Sequence, residues 1–154
     1  MSDARLTKDN ARPASGRAFN WDLVFLTGWA DPLMLVARGM LAYIFIVDGV
    51  GAISGYAGVA DYMRANGVDA RLLPLVILTE LGGGLLVLLG LATRWAALAL
   101  CGFCLLTALL IHWRAEEMIE VQKNIAMAGG LLTLAVVGPG AWSLDGRRPR
   151  PRGS

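Results

Sequence analysis

The stretch LLPLVILTELGGGLLVLLGLATRW, residues 72–95, constrains the fold more than any other. From Leu72 to Ala92 its only charged side chain is Glu80, and the run matches the roughly 20 apolar residues that a helix needs to cross a bilayer. In lipid a backbone must satisfy its own hydrogen bonds, which makes an uninterrupted run of this length a helix. Three more runs of the same kind follow from the same criterion. The expected spans are Leu33–Ile53, Leu73–Ala92, Trp95–Trp113 and Met118–Gly138, the last being the weakest at its start, where VQKN precedes the clean run from Ile125 to Val137. Composition agrees: 56% of residues are hydrophobic and the mean hydropathy is +0.55.

The fold class expected is an all-α membrane protein, an antiparallel four-transmembrane-helix bundle with both termini cytoplasmic. Residues 1–17 mix both charge signs with no apolar run of the signal-peptide kind, and read as a disordered cytoplasmic tail. Residues 18–145 form one membrane domain, opening with an interfacial segment at 18–31 before Pro32 starts the first span; residues 146–154 are a basic cytoplasmic tail. Only Thr93 and Arg94 separate the second and third spans, which predicts a tight hairpin. The loop GYAGVADYMRANGVDAR has room for a short surface helix broken at Asn66-Gly67.

Direction follows from Lys and Arg. One side collects nine: Arg5, Lys8, Arg12, Arg17, Arg94, Arg147, Arg148, Arg150 and Arg152. The other collects Arg64, Arg71 and Arg114, with Lys123 as a fourth. The richer side is assigned to the cytoplasm. Trp21, Trp29, Trp95, Trp113 and Trp142 all fall near span ends, as interfacial anchors do.

This topology brings the intramembrane polar residues to one height. At about 1.5 Å of rise per residue, Asp48 lies about 7 Å outward of mid-span, Glu80 about 4 Å, and Lys123 and Asn124 about 6–8 Å. Gln122 joins the layer and His112 reaches it from the end of the third span. A charge at mid-membrane costs about 2.5–3.5 kcal/mol, so such groups are expected to face inward and pair. Lys123 is expected to bridge Glu80 or Asp48. Two readings stay open: a buried network that fixes helix packing, or a proton-linked or ligand-binding site facing outward. Small residues at helical spacing support an inward network. Glu80, Gly83, Gly84 and Val87 share one side of the second span; Ala97, Cys101, Cys104 and Ala108 lead to His112 on the third; Gln122, Ala126, Gly129 and Thr133 line the fourth. Arg38, about 7 Å toward the cytoplasm, is expected to snorkel to the headgroups.

The pair CGFC at 101–104 has thiol–disulfide spacing, but it sits deep in an apolar span where a thiolate is disfavoured, and it reads as packing. The glycine run 82–84 lies inside a helix and not after a strand, which removes a phosphate-loop reading. No metal-ligand spacing and no nucleic-acid module is present.

Together, LVARGML in the first span, TELGGGLLVLLGLATRWAAL across the second and third, QKNIAMAGGLL opening the fourth and GPGAWSLD closing it resemble the DoxX family of small bacterial inner-membrane proteins, from about Leu33 to Asp145. The resemblance implies a four-helix membrane bundle in the bacterial inner membrane. Arg38, Glu80, Arg94, Lys123, Asn124 and Asp145 occupy the family's recurrent polar positions. Some members are linked with thiosulfate–quinone oxidation or membrane oxidant-defence complexes, so the resemblance implies a quinone as the cofactor to consider, and membrane redox partners or a homo-oligomer as partners besides the lipid bilayer. Departures are local: Gly49 is followed by Val50, Gly51 and Ala52 where a basic residue is expected, and Asp48 and the cysteines lie outside the pattern. The functional expectation is a component of a quinone- or redox-linked membrane system. The alternative is a non-enzymatic scaffold whose polar layer is structural, and whether the chain is an enzyme stays open. A solute carrier fits less well, because four short spans show no internal repeat.

Overall fold

A computed structural model describes residues 21–111 and 118–147, with side chains described from residue 28. All regular elements among them are helical. The first, α1, runs unbroken from Trp21 to Ser54 and contains Pro32. Proline therefore starts no new helix here: its missing N–H leaves only the Gly28 carbonyl without an i→i−4 partner, a local loss within a 34-residue rod. A short α2, Tyr56–Ala65, follows and ends at Asn66 and Gly67, where φ reaches +77°, as the Asn-Gly signal predicts. A 3-10 turn at Ala70–Leu72 leads into α3, Leu73–Ile77. A π-helical turn at Leu78–Gly82 then joins α3 to α4, Gly83–Leu89, so that residues 73–89 make one continuous rod. The last helices are α5, Thr93–Leu110, and α6, Met118–Val137.

Among the described residues, three stretches are long and apolar enough to cross a membrane: Gly28–Ser54, Ala70–Leu89 and Thr93–Leu110, with mean hydropathies of 1.8, 2.2 and 1.7. Helix α6 is not among them, since its first two turns carry Glu120, Gln122, Lys123 and Asn124.

Small residues set the spacing of these rods. A Cβ on Gly84 would stand 3.1 Å from the Phe45 and Ile46 side chains and 3.3 Å from the Ala42 carbonyl, and one on Gly49 would stand 3.0 Å from Leu81. Residues 42–49 thus lie against 81–84 in reverse order, and the two backbones approach as closely as missing side chains permit. A Cβ on Gly83, by contrast, would meet Leu100 of α5 at 2.9 Å. The glycines predicted to share one side therefore serve two neighbours, wedging the 73–89 rod between α1 and α5.

Helices α5 and α6 make the most extensive contact. The predicted small-residue face of α5 is buried throughout: Ala97, Cys101, Cys104 and Ala108. On α6 the expectation fails. Gln122, Ala126, Gly129 and Thr133 are all exposed, and the buried face is Val121, Asn124, Ala128, Leu131, Leu134 and Ala135. A tight helix pair needs only one smooth surface; the small residues of α5 leave the space that Leu131 and Leu134 fill. The cysteines are part of that surface, two buried thiols in the main apolar cluster with Phe45, Val87 and Leu100. A second, smaller cluster of Ala52, Ala60, Met63 and Leu73 pins α2 over the end of the assembly.

Candidate functional site

Between the two apolar clusters lies a cavity of about 160 Å³. Its polar lining comes from five helical segments: Asp48 from α1, Tyr62 from α2, Glu80 from the π turn, Thr107 from α5, and Lys123 and Asn124 from α6. Phe45, Val59, Val76, Phe103 and Met127 complete the walls. Of the residues assigned to one layer, Asp48, Glu80, Lys123 and Asn124 come together around this cavity. Gln122 is not in the lining; it points to the outer face of α6, one position round the helix from both Val121 and Lys123. His112 lies outside the described residues, as do Trp113 and Arg114.

The pairing inside the layer differs from the expectation. Lys123 forms its ion pair with Glu120, one turn earlier on α6, and with neither Glu80 nor Asp48. A partner at i−3 is already in reach of the cation, whereas bridging to another helix would hold two long side chains in one geometry. Asp48 and Lys123 interact with Glu80 electrostatically, but among the described residues Glu80 makes no hydrogen bond or ion pair. Its carboxylate is half-buried at the cavity wall, on the one turn of the rod that departs from α-helical geometry. A π turn inserts an extra residue into the ladder and re-aims the side chains around it, and such turns recur at functional sites. No local signal in LTELGG announces it. Glu120 was legible from its spacing to Lys123; Tyr62 and Thr107 were not, because only the packing of α2 and α5 turns them toward Glu80.

The other end of the rods carries a second polar group with a different character. Arg38 is 1% exposed and donates from Nη2 to the Trp142 carbonyl at 2.5 Å. It does not snorkel: the loop after α6 folds over it, and Asp145 interacts with it electrostatically. Gly90 allows this close packing, since a Cβ there would stand 1.9 Å from Arg38 Nη1, and its φ of +70° ends α4 in the left-handed region. The loop is tied to the α4–α5 hairpin by Leu144 N–H to the Leu89 carbonyl and Asp145 N–H to the Gly90 carbonyl, at 3.3 and 2.8 Å. Asp31 anchors it to α1 by accepting from Ala141 N–H at 2.8 Å.

Two charges then cap each other's helices. Asp145, which follows α6, accepts from the backbone N–H groups of Ala92 and Thr93 at 3.0 and 2.9 Å, and from Thr93 Oγ1 at 3.0 Å. Arg94, which opens α5, donates to the Ala135 and Val137 carbonyls at the end of α6, at 3.2 and 3.5 Å. An anion thus stands at one helix N-terminus and a cation at the neighbouring C-terminus. Ser143 closes its own turn through Gly140 and Gly146, while Asp145 caps α5. The hairpin between α4 and α5 is Gly90–Ala92: α4 ends three residues before the predicted end of the second span, and α5 starts two residues before the predicted start of the third.

A family model described as DoxX matches residues 33–113. The chain is 50% identical over 118 residues to inner membrane protein YqjF of Escherichia coli K12, covering 75% of this chain and 91% of that protein. It is 36% identical over 131 residues to inner membrane protein YphA of the same organism, covering 78% and 94%. No solved structure matches the fold.

Proposed function

Because the chain belongs to the DoxX family and is an integral inner-membrane protein, we propose that it serves a quinone-linked membrane redox system, with the cavity of Asp48, Glu80, Lys123 and Asn124 receiving the polar ring of the carrier and exchanging its protons. In this reading α6 is the fourth span of an antiparallel bundle, both termini are cytoplasmic, and the cavity opens toward the outer face. The Lys and Arg asymmetry supports that orientation.

The observation that carries the reading is the meeting of two carboxylates, an ammonium group and an amide around one cavity inside an otherwise apolar assembly. Intramembrane ionisable groups that share a cavity are the usual mark of proton and substrate paths. Reducing a quinone to a quinol takes two electrons and two protons. Electrons would come from a partner protein in the membrane. Protons would pass through Glu80, which has no ion-pair partner among the described residues, and through Asp48, whose side chain is exposed at the cavity wall. Lys123, held by Glu120, and Asn124 would donate hydrogen bonds to the ring oxygens. His112 would extend the path outward.

Native mass spectrometry of the protein in nanodiscs containing a benzoquinone lipid tests this. One quinone per chain is expected, and the Asp48→Asn/Glu80→Gln double variant should lose it while remaining folded. A folded wild-type protein that retains and binds no quinone ends the proposal. A scaffold reading draws on the Lys123–Glu120 pair, which neutralises the cation within one helix. It predicts instead a stoichiometric protein partner on purification and full function in the folded double variant. Reporter fusions at each terminus test the topology, both being expected on the cytoplasmic side.

A further inference from the structure

The polar cavity does not stand alone. Along its side, between the 73–89 rod and α5, runs an apolar groove of about 360 Å³. Met63, Val76, Phe103, Thr107 and Ile111 line both spaces, so the two share a wall. The far side of the groove is formed by Leu72, Leu75, Leu106 and Leu110, all of them between 48% and 59% exposed and therefore turned to the bilayer. Its two hydroxyls are already engaged within their own helices: Thr79 Oγ1 donates to the Leu75 carbonyl at 2.8 Å and Thr107 Oγ1 to the Phe103 carbonyl at 3.0 Å. The groove thus presents no uncommitted side-chain donor, and any occupant must be hydrocarbon.

Volume and polarity fit the parts of one molecule. A cavity of about 150 Å³ holds a single benzene ring in a well-studied engineered protein, and the polar cavity here measures about 160 Å³. It has room for one six-membered ring and supplies groups for ring oxygens, while the groove supplies an apolar bed that begins at its wall. We infer that the groove between the 73–89 rod and α5 is the tail-binding and entry path of an amphiphile with one polar ring and an isoprenoid or alkyl chain, admitted sideways from the bilayer. The inference rests on the proposal that the cavity takes a quinone ring, and adds to it where the tail lies and how the ligand enters.

Ala99 belongs to the groove and not to the cavity, which gives the test its lever. Binding of decylubiquinone and of its tail-less parent benzoquinone is measured on nanodisc-embedded wild-type, Ala99→Phe and Glu80→Gln proteins; comparison between proteins cancels partitioning into lipid. Ala99→Phe should weaken the tailed analogue at least tenfold and leave the tail-less one within twofold. Glu80→Gln should weaken both equally. Should Ala99→Phe not fold, Leu106→Trp narrows the same groove two turns further along α5. If both analogues bind and neither groove variant separates them, the tail lies elsewhere and the inference falls while the ring site stands. If neither analogue binds folded wild-type protein, ring site and groove fall together.

Discussion

The two ends of the rods hold their charges in opposite ways. Around Arg38, Arg94 and Asp145 the charged groups reach backbone: a carbonyl at Trp142, two carbonyls closing α6, two N–H groups opening α5. Around Glu80 the charges face a cavity, and the Lys123–Glu120 ion pair there is local to α6. Charges that satisfy helix ends are fixed in place by the fold they complete. In the proposed reading, charges that line a space are kept for something that enters it, so two polar groups of similar composition play different parts, and the partner of each side chain tells them apart.

Substitutions at the closed end should therefore cost stability, and those at the cavity should cost ligand. Gly90→Ala carries the largest effect: it forces a Cβ into Arg38 Nη1 and Ser143 and holds alanine at φ +70°. A loss of about 3–5 kcal/mol is expected from overpacking and left-handed strain combined, read as a collapse of the thermal transition in detergent. Asp145→Ala removes the cap of α5 and the carboxylate beside Arg38, for a loss of about 2 kcal/mol; a change below about 0.5 kcal/mol would mean that the loop holds without it. Arg94→Ala should cost less, about 0.5–1 kcal/mol, because its guanidinium is exposed and its bonds are long. Glu80→Gln should change stability by less than about 1 kcal/mol, since no ion pair is broken, while abolishing quinone retention. If denaturation shows it to be as damaging as Asp145→Ala, the two ends are not different in kind. Smallest of all, Gln122→Ala should lie within about 0.5 kcal/mol of wild type in both stability and binding. A larger effect would restore Gln122 to the site.

Much of this contrast was legible in the chain before its fold. Apolar runs of span length fixed where helices form, Asn66-Gly67 fixed the end of α2, and of the residues assigned to one layer Asp48, Glu80, Lys123 and Asn124 line one cavity while Gln122, at the same depth, does not. What failed was the assignment of partners. Lys123 was expected to reach across helices and stays on its own; Arg38 was expected to reach headgroups and lies under a loop. The small-residue stripe on α6 had the same spacing as the one on α5 but faces outward.

Hydrophobic length and residue rise are local quantities, so the sequence by itself determined that this is a helical membrane protein and on which stretches of its helices the charges stand. Rotation of each helix about its axis, the π turn at Glu80 and the docking of residues 138–147 are decided by which surfaces interlock, and many rotations share one hydropathy profile. Only the tertiary structure could choose among them, because the choice depends on contacts between residues as far apart as Arg38 and Trp142, a separation of 104 positions.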